Sequence, residues 1–408
     1  MKFLHAADLH LGSALPGFGT RRTPGDVPED VDAPLAAFEN MLELARREDV
    51  AFVVIAGDLY DGEWKDFALG LQVTARLRTL GRPCFILRGN HDALSIIPSR
   101  LRLPDNVREF GGERCETVAL PALDVALHGH SFPERAVPHD LSGAYCPPSP
   151  GMLNIGVLHT SAEGAEGHDT YAPCSIGALA GRGYDYWALG HIHARRELRR
   201  EPWIVFPGNT QGRHVRETGA KGCTIVTVED RRVVAAKHHD LDVVRWARIE
   251  VDVTAAHLHD IATRLEAALE PHLRDAGAGR ALAARIDLVG ETSHDAQLRD
   301  RAEALLADAL NAAQNLGGQL WVERLAVRTT PPGTVTARAD LEPLRRLFLG
   351  ALPEVEHDLL DELRQLRAAL PAQFREAADL PADLDALRRR AGEAWEMVAL
   401  RLGAEDAP

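Results

Sequence analysis

Five apolar runs in this chain each end in a cluster of Asp, Asn or His, and that repetition constrains the fold more than any other feature. Residues 2–8 read as a buried strand ending in Asp8-Leu9-His10. Phe52-Val53-Val54-Ile55-Ala56 ends in Gly57-Asp58-Leu59-Tyr60-Asp61, and Pro83-Cys84-Phe85-Ile86-Leu87 runs into Gly89-Asn90-His91-Asp92. Asn154-Ile155-Gly156-Val157-Leu158 ends in His159, and Tyr186-Trp187-Ala188-Leu189 in Gly190-His191-Ile192-His193. One such end is an ordinary turn, because Asn and Asp are turn formers. Five in series point to a shared site.

Helical periodicity fills the gaps. Leu35, Phe38, Leu42 and Ala45 predict a helix over 34–48, and Leu69, Val73 and Leu77 another over about 66–80. The apolar, non-alternating strands suit a parallel sheet covered on both faces. Ligands bind beyond the carboxyl ends of such strands. The pattern therefore brings Asp8, His10, Asp58, Asn90 and His91 to one edge of one sheet, and two later strands repeat the device with His159, His191 and His193.

Composition narrows the chemistry. Five scattered cysteines without a C-x-x-C pair argue for reduced thiols rather than a disulfide framework or a zinc–thiolate site. The first residues enter a strand pattern with no signal peptide, and no run is long enough to span a membrane, so a cytoplasmic location is expected. A net charge of −14 counts against wrapping nucleic acid by bulk electrostatics. It does not exclude a nuclease, since bound divalent metals change the sign of the local field. Carboxylates, imidazoles and an amide carbonyl suit Mn²⁺, Fe²⁺ or Zn²⁺. Seven candidate ligands fit two ions, with Asp58 as the natural bridge. Two ions roughly 3.5–4 Å apart lower the pKa of a bridging water and cleave phosphoesters with the resulting hydroxide.

Taken in order, Asp8-x-His10, Gly57-Asp58, Gly89-Asn90-His91-Asp92, His159 and Gly190-His191-x-His193 resemble the five signatures of the calcineurin-like metallophosphoesterases. The opening Ala-Asp-Leu-His-Leu-Gly-Ser and the stretch from Pro207 to Gly222 resemble the SbcD-type DNA repair nucleases, especially the bacterial YhaO-like exonuclease branch. The resemblance covers about residues 1–240. It implies an α/β, layered core of β-sheets flanked by helices, with two divalent ions, Mn²⁺ foremost. One ion is held by Asp8, His10, Asp58 and His193, and the other by Asp58, Asn90, His159 and His191. His91 contacts the scissile phosphate and acts as general acid. Asp61 sits where some relatives hold an acid that orients this histidine and others a histidine; Asp92 is a candidate for orientation too. The implied activity is exonucleolytic, with endonuclease action open, in DNA double-strand break repair.

Gln211, Arg213, His214, Arg216 and Lys221 place donors after the strand Trp203-Ile204-Val205-Phe206, as phosphate-backbone contacts or as a polar hairpin with ordinary salt links. Arg21, Arg22 and Lys65 are weaker candidates, and His128, His130, His238 and His239 are assigned to structure or solvent. The expected domains are 1–243, 244–332 and 333–408. The second is a small α+β unit: a strand over 248–253, a helix about 255–273, a strand about 282–289, a helix about 295–314 and a strand about 319–328. The resemblance makes it a capping domain. Thr330-Pro331-Pro332-Gly333 reads as a linker. The helical tail carries the stripes Val355, Leu359, Leu363, Leu366, Leu370 and Leu384, Leu387, Ala391, Trp395, Val398, Leu402. They pack as a domain of their own or dock on a partner helix. The resemblance implies an SMC-like ATPase of the SbcC type, and a homodimer is also open. The alternative function is a phosphoesterase acting on phosphoproteins or on small or cyclic esters. Protein phosphatases of this superfamily carry Arg-Gly after the second cluster's Asp, whereas Asp61-Gly62-Glu63 follows here. An inactive scaffold is disfavoured because every ligand type is present.

Overall fold

The computed structural model describes residues 1–13, 15, 21–28, 30–61, 67–94, 102–162, 171–332, 342–370 and 380–404. Lys65, Gly62, Glu63 and Gly333 lie outside them.

The first strands form as their apolar runs predict. β1 (Lys2–Ala6), β2 (Phe52–Ala56), β3 (Cys84–Leu87) and β4 (Val107–Glu109) pair in parallel. Helices α1 (Ala33–Arg47) and α2 (Phe67–Leu80) make the crossovers. The later runs do not extend this sheet, as a single shared edge would require. β5 (Glu116–Leu120), β6 (Val125–Gly129), β7 (Leu153–His159), β8 (Tyr186–Gly190), β9 (Arg196–Arg200) and β10 (Trp203–Phe206) form a second six-stranded sheet, in the order β5-β6-β7-β8-β10-β9. β11 (Gly222–Glu229) and β12 (Arg232–Asp240) complete the first, antiparallel beside β1.

Side-chain alternation explains the layers. Phe3, Val54, Phe85, Ile155, Val157 and Tyr186 meet in an apolar core between the sheets. Leu4, Val53, Ile55 and Ile86 face the other way onto α1 and α2. On the second sheet Trp187, Leu189, Ile204 and Phe206 pack outward with Leu179 of α3 (Ile176–Ala180) and with Tyr184 beyond its end. Strands buried on both faces read as unbroken apolar runs in either sheet. The sequence pattern thus cannot tell one sheet from two.

A smaller three-stranded parallel sheet follows: β13 (Val244–Asp252), β14 (Ala281–Glu291) and β15 (Gln319–Thr330). α4 (Ile261–Ala276) joins the first pair. The helix expected over 295–314 is two, α5 (Asp295–Asp300) and α6 (Ala302–Asn315). Two segments tie this unit to the loops of the main sheets. Thr23 N donates to Leu320 O and Val322 N to Arg21 O, so the segment after the first polar cluster lies along β15. Trp246 Nε1 donates to Gly212 O at 2.9 Å. At the end of the described chain, α7 (Glu342–Ala369) pairs with α8 (Leu384–Ala404) through a bidentate Arg388–Glu356 pair and the Phe348–Trp395 rings. Leu387 and Trp395 are buried, but Val355, Leu359 and Leu366 stay exposed, so the first stripe is only partly covered.

Candidate metal centre

The carboxyl ends of both sheets meet at one edge. Asp8, His10, Asp58, Asn90 and His91 come from the first sheet, and His159, His191 and His193 from the second. The close approach depends on glycine. Gly57 has φ +100°, and a Cβ there would lie 2.2 Å from His159 Nδ1; one at Gly190 would lie 1.9 Å from Ala56 O. Asp8, His10, Asp58 and His191 hold positive φ values of 53°, 47°, 52° and 101°. Non-glycine residues in that region carry strain that clusters at functional sites. Backbone bonds fix the strained loops: Asp8 N donates to Gly57 O and His10 N to Asp58 O.

The donor atoms converge. His10 Nε2 faces His193 Nε2 at 3.2 Å. His159 Nε2 lies 3.0 Å from Asn90 Oδ1 and 3.4 Å from Asp58 Oδ2. Asp58 Oδ2 is also 3.9 Å from His10 Nε2, which puts this carboxylate between the two groups. Asp8 with His10 and His193, and Asp8 with Asp58 and His159, offer ligand atoms within 4.8 Å of one another. His191 N donates to both Asp8 oxygens at 3.0 Å, and its ring lies edge-on to His159. These residues fit metal ions. Of two imidazole nitrogens facing at 3.2 Å, only one can carry the proton of a hydrogen bond, whereas a cation between them uses both lone pairs. His10 Nδ1 is buried without a hydrogen bond.

The electrostatics are those of buried, mutually dependent charges. Burial pushes Asp8 up to about 6, against the pull of His159 and His193. Burial also acts to raise Asp58, but His159 and His91 outweigh it and hold that carboxyl below its ordinary range. Burial, helped by the Arg213 guanidinium, brings His10 down to about 4. His159 rises to about 9 because Asp58 and Asp8 overcome its burial.

His91 and Asp61 form a second layer of this edge. His91 Nδ1 is 3.0 Å from Asp61 Oδ1, and His91 N donates to Asp58 Oδ1 at 2.9 Å. Burial would lower His91, but Asp58 and Asp61 raise it above its ordinary value. Arg213 Nη1 lies 3.7 Å from Asp61. Asp92 does not face the site. Its carboxylate accepts from Leu59 N, Tyr60 N and Gly89 N and so ties the second loop to the third.

The loop after β10 divides its candidates. Gln211 cannot serve a ligand: it is buried, its Nε2 donates to Gly212 O and Val244 O, and its Oε1 accepts from Val243 N. Lys221 is likewise committed, donating from Nζ to His193 O. His214 Nδ1 accepts from Arg216 N, and Arg216 is exposed. Glu217, which the sequence did not single out, is the residue this loop contributes most directly. Its Oε1 is 2.7 Å from His193 Nδ1, and its Oε2 accepts from Asn209 Nδ2 and Arg213 N. His128 sits between Thr117 Oγ1 and Asn154 Oδ1, a structural role.

Residues 1–195 match the family model of the calcineurin-like phosphoesterases, and residues 246–330 match that of the middle domain of the metallophosphoesterase YhaO. The uncharacterized metallophosphoesterase YhaO of Bacillus subtilis is 35% identical over 264 residues, 63% of this chain and 64% of that protein. The DNA double-strand break repair protein Mre11 of Methanopyrus kandleri is 27% identical, over 52% of this chain and 49% of that protein. A component of the nuclease SbcCD from Staphylococcus epidermidis is 26% identical, over 57% of this chain and 68% of that protein. The chain thus spans less than two thirds of the first two relatives. Among the described residues no helix is long and apolar enough to cross a membrane.

Proposed function

This chain belongs to the calcineurin-like metallophosphoesterases, and from that premise we propose that it is a two-metal DNA exonuclease of double-strand break repair. The observation that carries the reading is the placement of Asp58 between two groups of donors from two sheets, with the His91–Asp61 pair beside it. Asp8, His10, Asp58 and His193 would hold one ion, and Asp58, Asn90, His159 and His191 the other. When bound, such a pair supplies Lewis acidity, ionising water near neutral pH and offsetting charge on the phosphate oxygens.

The remaining work falls to the chain's own side chains. Asp61 accepts from His91 Nδ1–H, so the proton passed to the leaving oxygen is the one on Nε2. Asp58 and Asp61 raise the pKa of His91 above its ordinary value, which favours the protonated ring that a general acid needs. Arg213, a few ångströms from Asp61, supplies a fixed cation for a phosphate oxygen. Arg216 and His214 extend the contact along a phosphate backbone, and Gln211 drops out of that set. DNA as substrate is supported by the Mre11 relative, a DNA repair protein, and the SbcCD relative, a nuclease component. The exposed Leu344, Leu347, Phe348, Val355, Leu359 and Leu366 of α7 support docking to an SMC-like ATPase of the SbcC type.

The test uses purified chain with Mn²⁺, with and without chelator, on end-labelled duplex, single-stranded DNA and a chromogenic phosphodiester. Metal-dependent DNA degradation that is lost in Asp58→Ala is expected. Hydrolysis of the small ester with DNA left intact, with and without the ATPase, would overturn the nuclease reading.

A further inference from the structure

Three of the five cysteines, Cys84, Cys174 and Cys223, are buried in the apolar layers. The other two, Cys115 and Cys146, are half-buried and adjacent: their Sγ atoms are 2.8 Å apart although the residues are 31 positions apart in sequence. Their surroundings hold them there. Cys146 N donates to Cys115 Sγ at 3.1 Å. Tyr184 Oη donates to Cys146 O at 2.6 Å, and Arg182 donates to the neighbouring carbonyls of Tyr145 and Gly143. The aromatic rings of Tyr145, Tyr184 and Trp187 pack beneath. A disulfide needs its sulfurs at about 2.05 Å, so closure from this geometry asks for less than an ångström of further approach.

The segment between the two cysteines backs the metal edge. Ser131 Oγ accepts from Arg88 N at 2.9 Å, and Phe132 N donates to Arg88 O at 3.0 Å. Arg88 leads directly into Gly89-Asn90-His91, and the Phe132 ring lies edge-on to His159. On the other side Ser131 N donates to Gly111 O, close to Cys115. A covalent link from 115 to 146 therefore closes a ring around the segment that supports the Asn90 loop and His159.

We propose that Cys115 and Cys146 are a dithiol modification site that closes to a disulfide by exchange with a low-molecular-weight disulfide of the glutathione type, clasping the segment behind the metal edge. One thiol, as its thiolate, attacks a sulfur of the small disulfide and releases one thiolate. The second protein thiolate then attacks the mixed disulfide, forming the Cys115–Cys146 bond and releasing the other. The protein loses two electrons and two protons, and the small disulfide is reduced to two thiols. Cross-linking limits the freedom of the opened chain, so the closed form resists unfolding.

Reduced full-length protein, freed of reductant, is treated with glutathione disulfide. Two of its five thiols should disappear, the intact mass should fall by two hydrogens, and a digest should yield a peptide joining 115 to 146. The Tm should rise and the Phe132 amide should exchange more slowly, both reversed by dithiothreitol. Cys115→Ser and Cys146→Ser should each show neither the cross-link nor the Tm gain. A stable glutathione adduct on the wild-type chain without the internal link, or a link that leaves the Tm unchanged, overturns the proposal.

Discussion

Buried histidines occur both in the body of the paired sheets and at the edge where their strands end, and the two sets are wired differently. In the body, His5 of β1 donates from Nε2 to Leu189 O and accepts at Nδ1 from Tyr186 Oη. His128 of β6 is satisfied in the same way by Thr117 and Asn154. Each ring has two protein partners, stays neutral and links strands. At the edge, His10 and His193 turn nitrogens toward each other, and His159 Nε2 faces two oxygens at once. Burial alone therefore does not mark a ligand. What marks it is a ring nitrogen turned toward other ligand atoms, an imidazole, an amide oxygen or a carboxylate, that a cation can gather.

If the edge is a metal centre and the body is not, removing the shared carboxylate should do the most damage. Asp58→Asn should cut phosphodiester hydrolysis by on the order of 10⁴-fold, several kcal/mol of transition-state stabilisation. Calorimetry should show metal binding reduced from two ions, with the fold kept by circular dichroism. Full stoichiometry in that variant would break the comparison. His91→Ala separates holding from reacting. It should keep both ions and lose about 10³-fold in rate, within the range of general acid catalysis. Cleavage at the wild-type rate would remove His91 from the proton transfer.

Glu217 tests whether the edge extends past its ligands. Its carboxylate is held well below its ordinary range, since His193 outweighs burial, and it fixes the His193 ring from behind. Partners of this kind are typically worth about 10–100-fold in metal affinity. Glu217→Gln keeps the shape and one acceptor, so a loss of that size, read by Mn²⁺ titration, should come without a large change in Tm. Unchanged affinity would confine the site to its direct donors.

How much of this was legible follows from the same contrast. The strand-end pattern gave Asp8, His10, Asp58, Asn90, His91, His159, His191 and His193, because each sits where an apolar run stops. It could not show that His159 and His191 belong to a second sheet, since runs buried on both faces look alike in either. Gln211 was a polar residue in a polar stretch, and only the tertiary fold shows its amide spent on Val243 and Val244. Glu217 lay in that stretch with no period to mark it. The Cys115–Cys146 approach likewise joins residues with no local signal.

The smallest expected effect belongs to the body, and it has a sign. Burial, with Arg195 adding to it, takes His5 down to about 3, against an ordinary value of 6.5. Between those two values the unfolded chain binds a proton that the folded chain refuses, so the contribution of His5 is complete above pH 6.5 and is lost as the pH falls toward 3. At pH 5.5 the loss relative to pH 8 is on the order of 1 kcal/mol. His5→Gln replaces the ring with an amide that can still accept from Tyr186 Oη and donate to Leu189 O without titrating. Urea unfolding of metal-free protein at pH 8 and pH 5.5 should show the wild type losing on the order of 1 kcal/mol more than the variant. An equal loss in both would mean that His5 takes up its proton without opening the sheets. The body histidines would then be as open to a cation as those of the edge.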